Sequence, residues 1–115
     1  MEELLIPLYE NEVAPRFDQT TDVLLVRVTP SLGAKPVTEE RVVVLARASA
    51  EEVCRLILNE HVKTVLCAGI EEEHYQFLTW KGVRVIDDVI GPVDQVLATY
   101  LAGELKPGAV LYAKD

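Results

Sequence analysis

The stretch from Val62 to His74, Val-Lys-Thr-Val-Leu-Cys-Ala-Gly-Ile-Glu-Glu-Glu-His, constrains this chain more than any other. A short apolar run (Val65, Leu66, Cys67, Ala68) meets Gly69, and three acids (Glu71, Glu72, Glu73) follow. The run reads as a buried central strand, and the acids suit the positive end of a helix dipole. In open α/β sheets, ligands collect outside the carboxyl ends of such strands. Cys67 stands at that end, which makes it the first candidate for a functional site.

The segments before it read as strands. Leu4 to Tyr9 alternates weakly and carries Pro7, which predicts a strand near an edge, or one whose proline sits where no ladder donor is needed. Glu10 to Glu12 is a turn. Val13 to Asp18 is a loop, because Pro15 biases Ala14 towards extended geometry. Asp22 to Thr29 is a second strand. Two prolines and a glycine between Pro30 and Pro36 predict a connecting turn. Val42, Val43, Val44 and Leu45 predict a third strand over Glu40 to Ala46.

The rhythm then becomes helical. Ser49 with Glu52 fits a capping box and opens a helix over Ala50 to His61. The central strand covers Lys63 to Ala68. A second helix, Glu71 to Lys81, closes at Gly82. Val83 to Ile86 is a short strand. Gly91-Pro92 opens a third helix, with the proline at its first helical position. Val93, Val96, Leu97, Tyr100 and Leu101 give that helix a continuous apolar stripe, and Gly103 ends it. Lys106 to Gly108 is a turn, and Ala109 to Ala113 is an extended tail. The order predicts one α/β domain: a mixed five-stranded sheet, an antiparallel meander followed by parallel strands, flanked by three helices.

Composition narrows the function. The 115 residues suit a single domain (1–115) with one core, and the formal net charge is -8. Nucleic-acid binding draws on positive charge to release counterions, so DNA and RNA are not expected partners. The acidic start, Met1-Glu2-Glu3, is unlike a signal peptide, and no apolar run approaches the ~18 residues of a membrane span. A cytoplasmic protein without a membrane partner is the expectation. Two cysteines, Cys54 and Cys67, do not make a secreted disulfide framework.

Four places carry a resemblance: Ile6-Pro7-Leu8; Val13-Ala14-Pro15-Arg16-Phe17-Asp18; Val65-Leu66-Cys67-Ala68-Gly69-Ile70; and Val93 through Leu105, ending Tyr-Leu-Ala-Gly-Glu-Leu. In this order the chain resembles, over nearly its whole length, the dinitrogenase iron-molybdenum cofactor biosynthesis family, the NifX/NafY-like proteins. The resemblance implies a ribonuclease-H-like fold. It implies binding or carriage of an iron–sulfur or iron–molybdenum cluster, without catalysis by the protein, and a cluster donor or acceptor protein as partner.

Each candidate residue has a plainer reading beside the functional one. Cys67 is the first candidate cluster ligand, since thiolates suit iron–sulfur and copper centres; otherwise it is a small buried apolar residue. His74 could add a nitrogen ligand from the first turn of the second helix; otherwise it is a half-exposed surface histidine. Cys54 joins a metal set only if the first helix packs over the strand end, and it lies two turns from His61, ~11 Å, too far to share an ion with it. Arg16, with Phe17 in the first loop and Gly69 at the strand end, could hold an anionic cluster; otherwise Arg16 pairs with Asp18 or Asp22. Glu71, Glu72 and Glu73 read as dipole partners that repel an arriving anion. Asp87-Asp88 could hold magnesium, with a polar loop as the plainer reading. Tyr75, Phe77 and Trp80 do not share one stripe, so an exposed member would mark a partner or homodimer face. No nucleophile–base constellation is legible, and an enzyme is not expected. The alternative to a cluster carrier is a metal-free interaction or regulatory module of the same fold, binding a protein partner.

Overall fold

A computed structural model describes residues 1–112. Its strands are β1 (Glu2–Tyr9), β2 (Glu12–Val13), β3 (Asp22–Ser31), β4 (Ala34–Val44), β5 (Thr64–Leu66) and β6 (Arg84–Ile86). Its helices are α1 (Ala50–Asn59), α2 (Glu72–Trp80) and α3 (Val93–Leu101), with one 3-10 turn at Phe17–Gln19. The sheet runs β4-β3-β1-β5-β6, with β2 paired to β1. It has six strands rather than five, because the expected turn and loop after Tyr9 close into a hairpin, Leu8 facing Val13. The β1–β3 and β3–β4 ladders are antiparallel and the β1–β5 and β5–β6 ladders parallel, as the meander and crossover pattern implies.

Side chains sort to the two faces with period two. Leu4, Ile6, Leu24, Val26, Leu66 and Ile86 pack with Val93, Val96 and Leu97 of α3. Leu5, Val23, Leu25, Val65 and Val85 pack with Val53 and Ile57 of α1 and Leu78 of α2. The result is three layers, α3 on one face and α1 with α2 on the other. No described helix is long and apolar enough to cross a membrane.

Several boundaries differ from the sequence reading, each for a physical reason. β1 is central, not near an edge: it lies between β3 and β5. A strand buried on both faces has little reason to alternate, which is why Leu4 to Leu8 reads as nearly continuous apolar sequence. Pro7 is tolerated there because the β5 ladder stops at Leu5–Val65, short of the proline. The expected turn from Pro30 to Pro36 is instead the far end of a long hairpin. Thr29 faces Val37 and Ser31 faces Ala34, so Pro30 opposes both Lys35 and Pro36 in a bulge that needs no ladder donor from either proline.

At α1 only half of the capping box forms. The Glu52 amide donates to Ser49 Oγ at 3.3 Å, while the Glu52 carboxylate turns to Arg55. α2 ends as expected, with Gly82 at φ 84°. Pro92 is the N-cap of α3, in extended geometry, rather than its first helical residue. The C-terminal segment attaches through Ile90 and Val110, with Leu111 N–H donating to Ile90 O at 2.7 Å. Ala113, the end of the expected tail, lies outside the described residues.

Candidate functional site

The end of β5 is held by backbone on both sides. Cys67 N–H donates to Ile86 O at 3.0 Å, and Val89 N–H donates to Cys67 O at 3.0 Å. Two residues on, the loop after β2 crosses the strand end. Gly69 N–H donates to Pro15 O at 3.0 Å, and Phe17 N–H donates to Gly69 O at 2.8 Å. A Cβ on residue 69 would lie 2.9 Å from the Pro15 carbonyl oxygen, so the crossing needs glycine for room rather than for backbone freedom.

This crossing separates two concavities. On the α3 side lies a crevice of about 330 Å³ with Tyr9, Glu12, Pro15, Gly69 and Asp88 in its walls. Tyr112 closes its rim by donating from its hydroxyl to Glu12 Oε1 at 2.6 Å. On the other side, between α1 and α2, lies a groove of about 480 Å³ lined by Cys54, Arg55, Leu58, Glu73, His74 and Phe77. Phe17 sits under the crossing and touches the groove through His74, ring centroids 6.1 Å apart.

The structure places the candidates unevenly. Cys67 has no solvent exposure, and burial, with the nearby Asp87 and Asp88 charges, pushes its thiol well above the ordinary range. It lies in the core beneath the crossing, as a free thiol. Cys54 belongs to the same core cluster but also lines the groove; burial, then the Glu51 charge, pushes its thiol up to about 11. Phe17 is a core residue at 1% exposure. Arg16 projects outward and holds Asp18 with two hydrogen bonds, 3.0 and 2.7 Å, which keeps the Asp18 carboxyl below its usual range. Gly69 alone of the three expected cofactor-binding residues lines the crevice. Asp87 and Asp88 diverge: Asp88 joins the crevice, while the Asp87 carbonyl accepts from Gly108 N–H at 3.0 Å.

His74 finds partners that the sequence reading assigned only to the helix dipole. Donor atoms of Glu71, Glu73 and His74 all lie within 4.8 Å of one another. His74 Nε2 is 4.0 Å from Glu71 Oε1 and 3.8 Å from Glu73 Oε1. Neither cysteine belongs to that set. The signal was present in the Glu71–His74 spacing, three residues apart on one helical face. The crevice walls Tyr9, Glu12 and Tyr112 had no such signal, since they meet through tertiary pairing alone.

No family model matches the chain, and no curated protein matches it. Solved structures do. The protein PH0822 superposes with a TM-score of 0.77 at 20% identity, over 91% of this chain and 93% of that one. A protein provisionally named a dinitrogenase, from Methanocaldococcus jannaschii, gives 0.70 at 20% identity, over 90% and 91%. The apo form of the orange protein from Desulfovibrio gigas gives 0.69 at 16% identity, over 93% and 92%. At these identities the likeness establishes a shared fold.

Proposed function

We propose that the protein is a non-enzymatic, cytoplasmic carrier of an iron–sulfur or molybdenum-containing cluster, accessory to cofactor assembly, with a ribonuclease-H-like, NifX/NafY-like fold. The observation that carries this reading is the crevice at the carboxyl ends of β1 and β5, whose wall at Gly69 is bare backbone pressed against Pro15. The dinitrogenase name borne by one fold neighbour supports the cluster assignment.

Cys67 was the first candidate ligand, but its thiol is sealed and held protonated. We therefore place the cargo against the crevice wall, bringing its own sulfide ligands. Arg16, next in the chain to Pro15 of that wall, is the cation we assign to it, and Glu12 and Asp88 oppose negative charge. A cargo held this way binds weakly and releases readily, as transfer to a donor or acceptor protein requires.

Anaerobic reconstitution with iron, sulfide and molybdate, followed by metal analysis and a visible spectrum, tests it. A stoichiometric chromophore retained in Cys67→Ser and lost in Gly69→Val is expected. No metal uptake under conditions that load an established carrier overturns the reading. The metal-free module is the second reading. It is favoured by the outer edge of β4, where Val37, Val42 and Val44 are exposed, and by Trp80, 77% exposed on α2.

A further inference from the structure

We propose that the open face of the sheet beside α3 is the docking surface for a basic amphipathic helix of a partner protein. The surface serves a cluster carrier and a metal-free module alike and needs no cargo in the crevice, so it stands apart from the choice between them.

β4 carries valine on both faces, and only one face is covered. Val43 and Leu45 pack on the core beneath α1 and α2. Val42 and Val44 face the α3 side, because Val42 pairs with Leu24 of the α3 core, and residues paired across an antiparallel ladder share a face. The two are 57% and 69% exposed. A strand whose one face is left to water alternates to polar residues there, yet here the open face carries β-branched apolar ones.

The space above them has the dimensions of one further helix. Among the described residues α3 alone covers its side, whereas α1 and α2 share the other. β4 lies two strands out from β1, roughly 10 Å, which is the width of a helix. A concavity of about 690 Å³ occupies this position, floored by Leu8, Leu24, Val42, Leu97 and Leu101. It follows α3 from Pro92 to Leu101, so a helix of about three turns lies alongside, with apolar residues at i, i+3 or i+4, and i+7.

The rim decides the partner's charge. Glu10, Glu40 and Asp94 stand on it, and among the described residues no lysine or arginine lines it. Asp94 turns one oxygen to the Gln95 amide at 2.9 Å. Glu10 and Glu40 have no ion pair among the described residues; four arginines are held elsewhere, by Asp18, Glu3, Glu60 and Glu52. An apolar floor with an acidic rim complements a helix that has aliphatic residues on one face and lysine or arginine flanking them. A second copy of this chain cannot supply that helix. α1 sets Glu51 and Glu52 against Arg55, α2 begins with Glu72 and Glu73, and α3 carries Asp94, so none is basic. An anionic lipid surface is repelled by the same rim.

The test uses the full chain and a fluorescein-labelled amphipathic peptide about four turns long, leucine on one face and lysine on the other. Fluorescence anisotropy reads affinity, and amide chemical shifts read location. Saturable one-to-one binding is expected, with shifts centred on Leu24, Val42, Ala98 and Leu101. A peptide of the same composition with its leucines scattered round the helix, and one with glutamate for lysine, should each bind at least about tenfold more weakly. Val42→Ser and Glu40→Lys should each weaken binding by about tenfold, and both positions are exposed, so neither change disturbs the core. Val37→Ser, at an exposed valine on the opposite face of β4, should change nothing. Shifts centred on the α1–α2 groove, equal binding of the scattered peptide, or no saturable binding would overturn the proposal. So would self-association of the free protein in sedimentation that Val42→Ser abolishes, since a second copy would then cover the face. No measurement involves a cluster, so failure here is separate from failure of the carrier reading.

Discussion

The crevice beside Gly69 and the groove beside His74 are neighbours across one backbone crossing, yet they are built from different materials. The crevice owes its wall to main chain: the Pro15 carbonyl, the Gly69 amide and the absence of a Cβ. The groove owes its character to side chains from two helices, among them Cys54, Leu58, His74 and Phe77. Backbone walls suit a guest that carries its own ligands; a groove of side chains offers it contacts instead. The two cysteines divide the same way, Cys67 sealed under the crossing and Cys54 at the groove wall.

The sharpest way to break this contrast is Gly69→Val. Its Cβ would meet the Pro15 carbonyl at 2.9 Å, and a backbone oxygen cannot swing away as a flexible side chain does. Overpacking of this kind costs about 1–3 kcal/mol, read as a fall in Tm of roughly 5–15 °C. Cluster loading should vanish with it. A Tm within about a degree of the parent would show that the crossing yields easily and that the wall is not backbone-limited.

Next in size is Cys67→Ser. The hydroxyl enters a cluster of Val65, Leu78 and Val85, and burying it there costs about 1–3 kcal/mol. Alkylation with mass-spectrometric readout sharpens the same point without mutation. Cys54 should be modified first under native conditions, and Cys67 only at the rate of unfolding. Equal rates would erase the distinction between the two thiols.

A third effect is a pH dependence. Burial holds the Cys54 thiol at about 11 from an ordinary 9.0, and Cys67 is raised as well. Above pH 9 the unfolded chain loses thiol protons that the folded chain keeps, so stability falls as pH rises. The contribution is intact below pH 9 and drains away through about 11. The urea midpoint should decline over that window, less steeply in Cys54→Ser. A flat profile would mean that Cys54 is better solvated than its place in the groove wall implies.

Much of this arrangement was legible in the chain, and what was not has common causes. The β5–Gly69–α2 junction could be read because a buried strand, a glycine and a helix start are local signals. The Ser49 cap and the Val93–Leu101 stripe were legible for the same reason. The position of β1 was not, because centrality depends on which strands later flank it. The extra strand Glu12–Val13 was hidden since two residues carry no period. Burial of Cys67 follows from the helices packed over that face, a tertiary fact, so a thiol at a strand end looked open when it is closed. The Glu71–Glu73–His74 set was visible as spacing, but a helix dipole explains the acids equally well at the level of sequence.

The smallest effect belongs to the crossing's own charge. Arg16 is bridged to Gly69 through its backbone while its guanidinium holds Asp18 in solvent. An exposed pair of this kind adds little, so Arg16→Ala should shift stability by less than about 0.5 kcal/mol. With the fold unmoved, the variant isolates electrostatics. If Arg16 is the cation that offsets Glu12 and Asp88 for an anionic cargo, Arg16→Ala should weaken cluster loading severalfold and flatten its dependence on salt. Loading that is indifferent to Arg16 would remove charge from the account of the crevice and leave shape alone to explain what it holds.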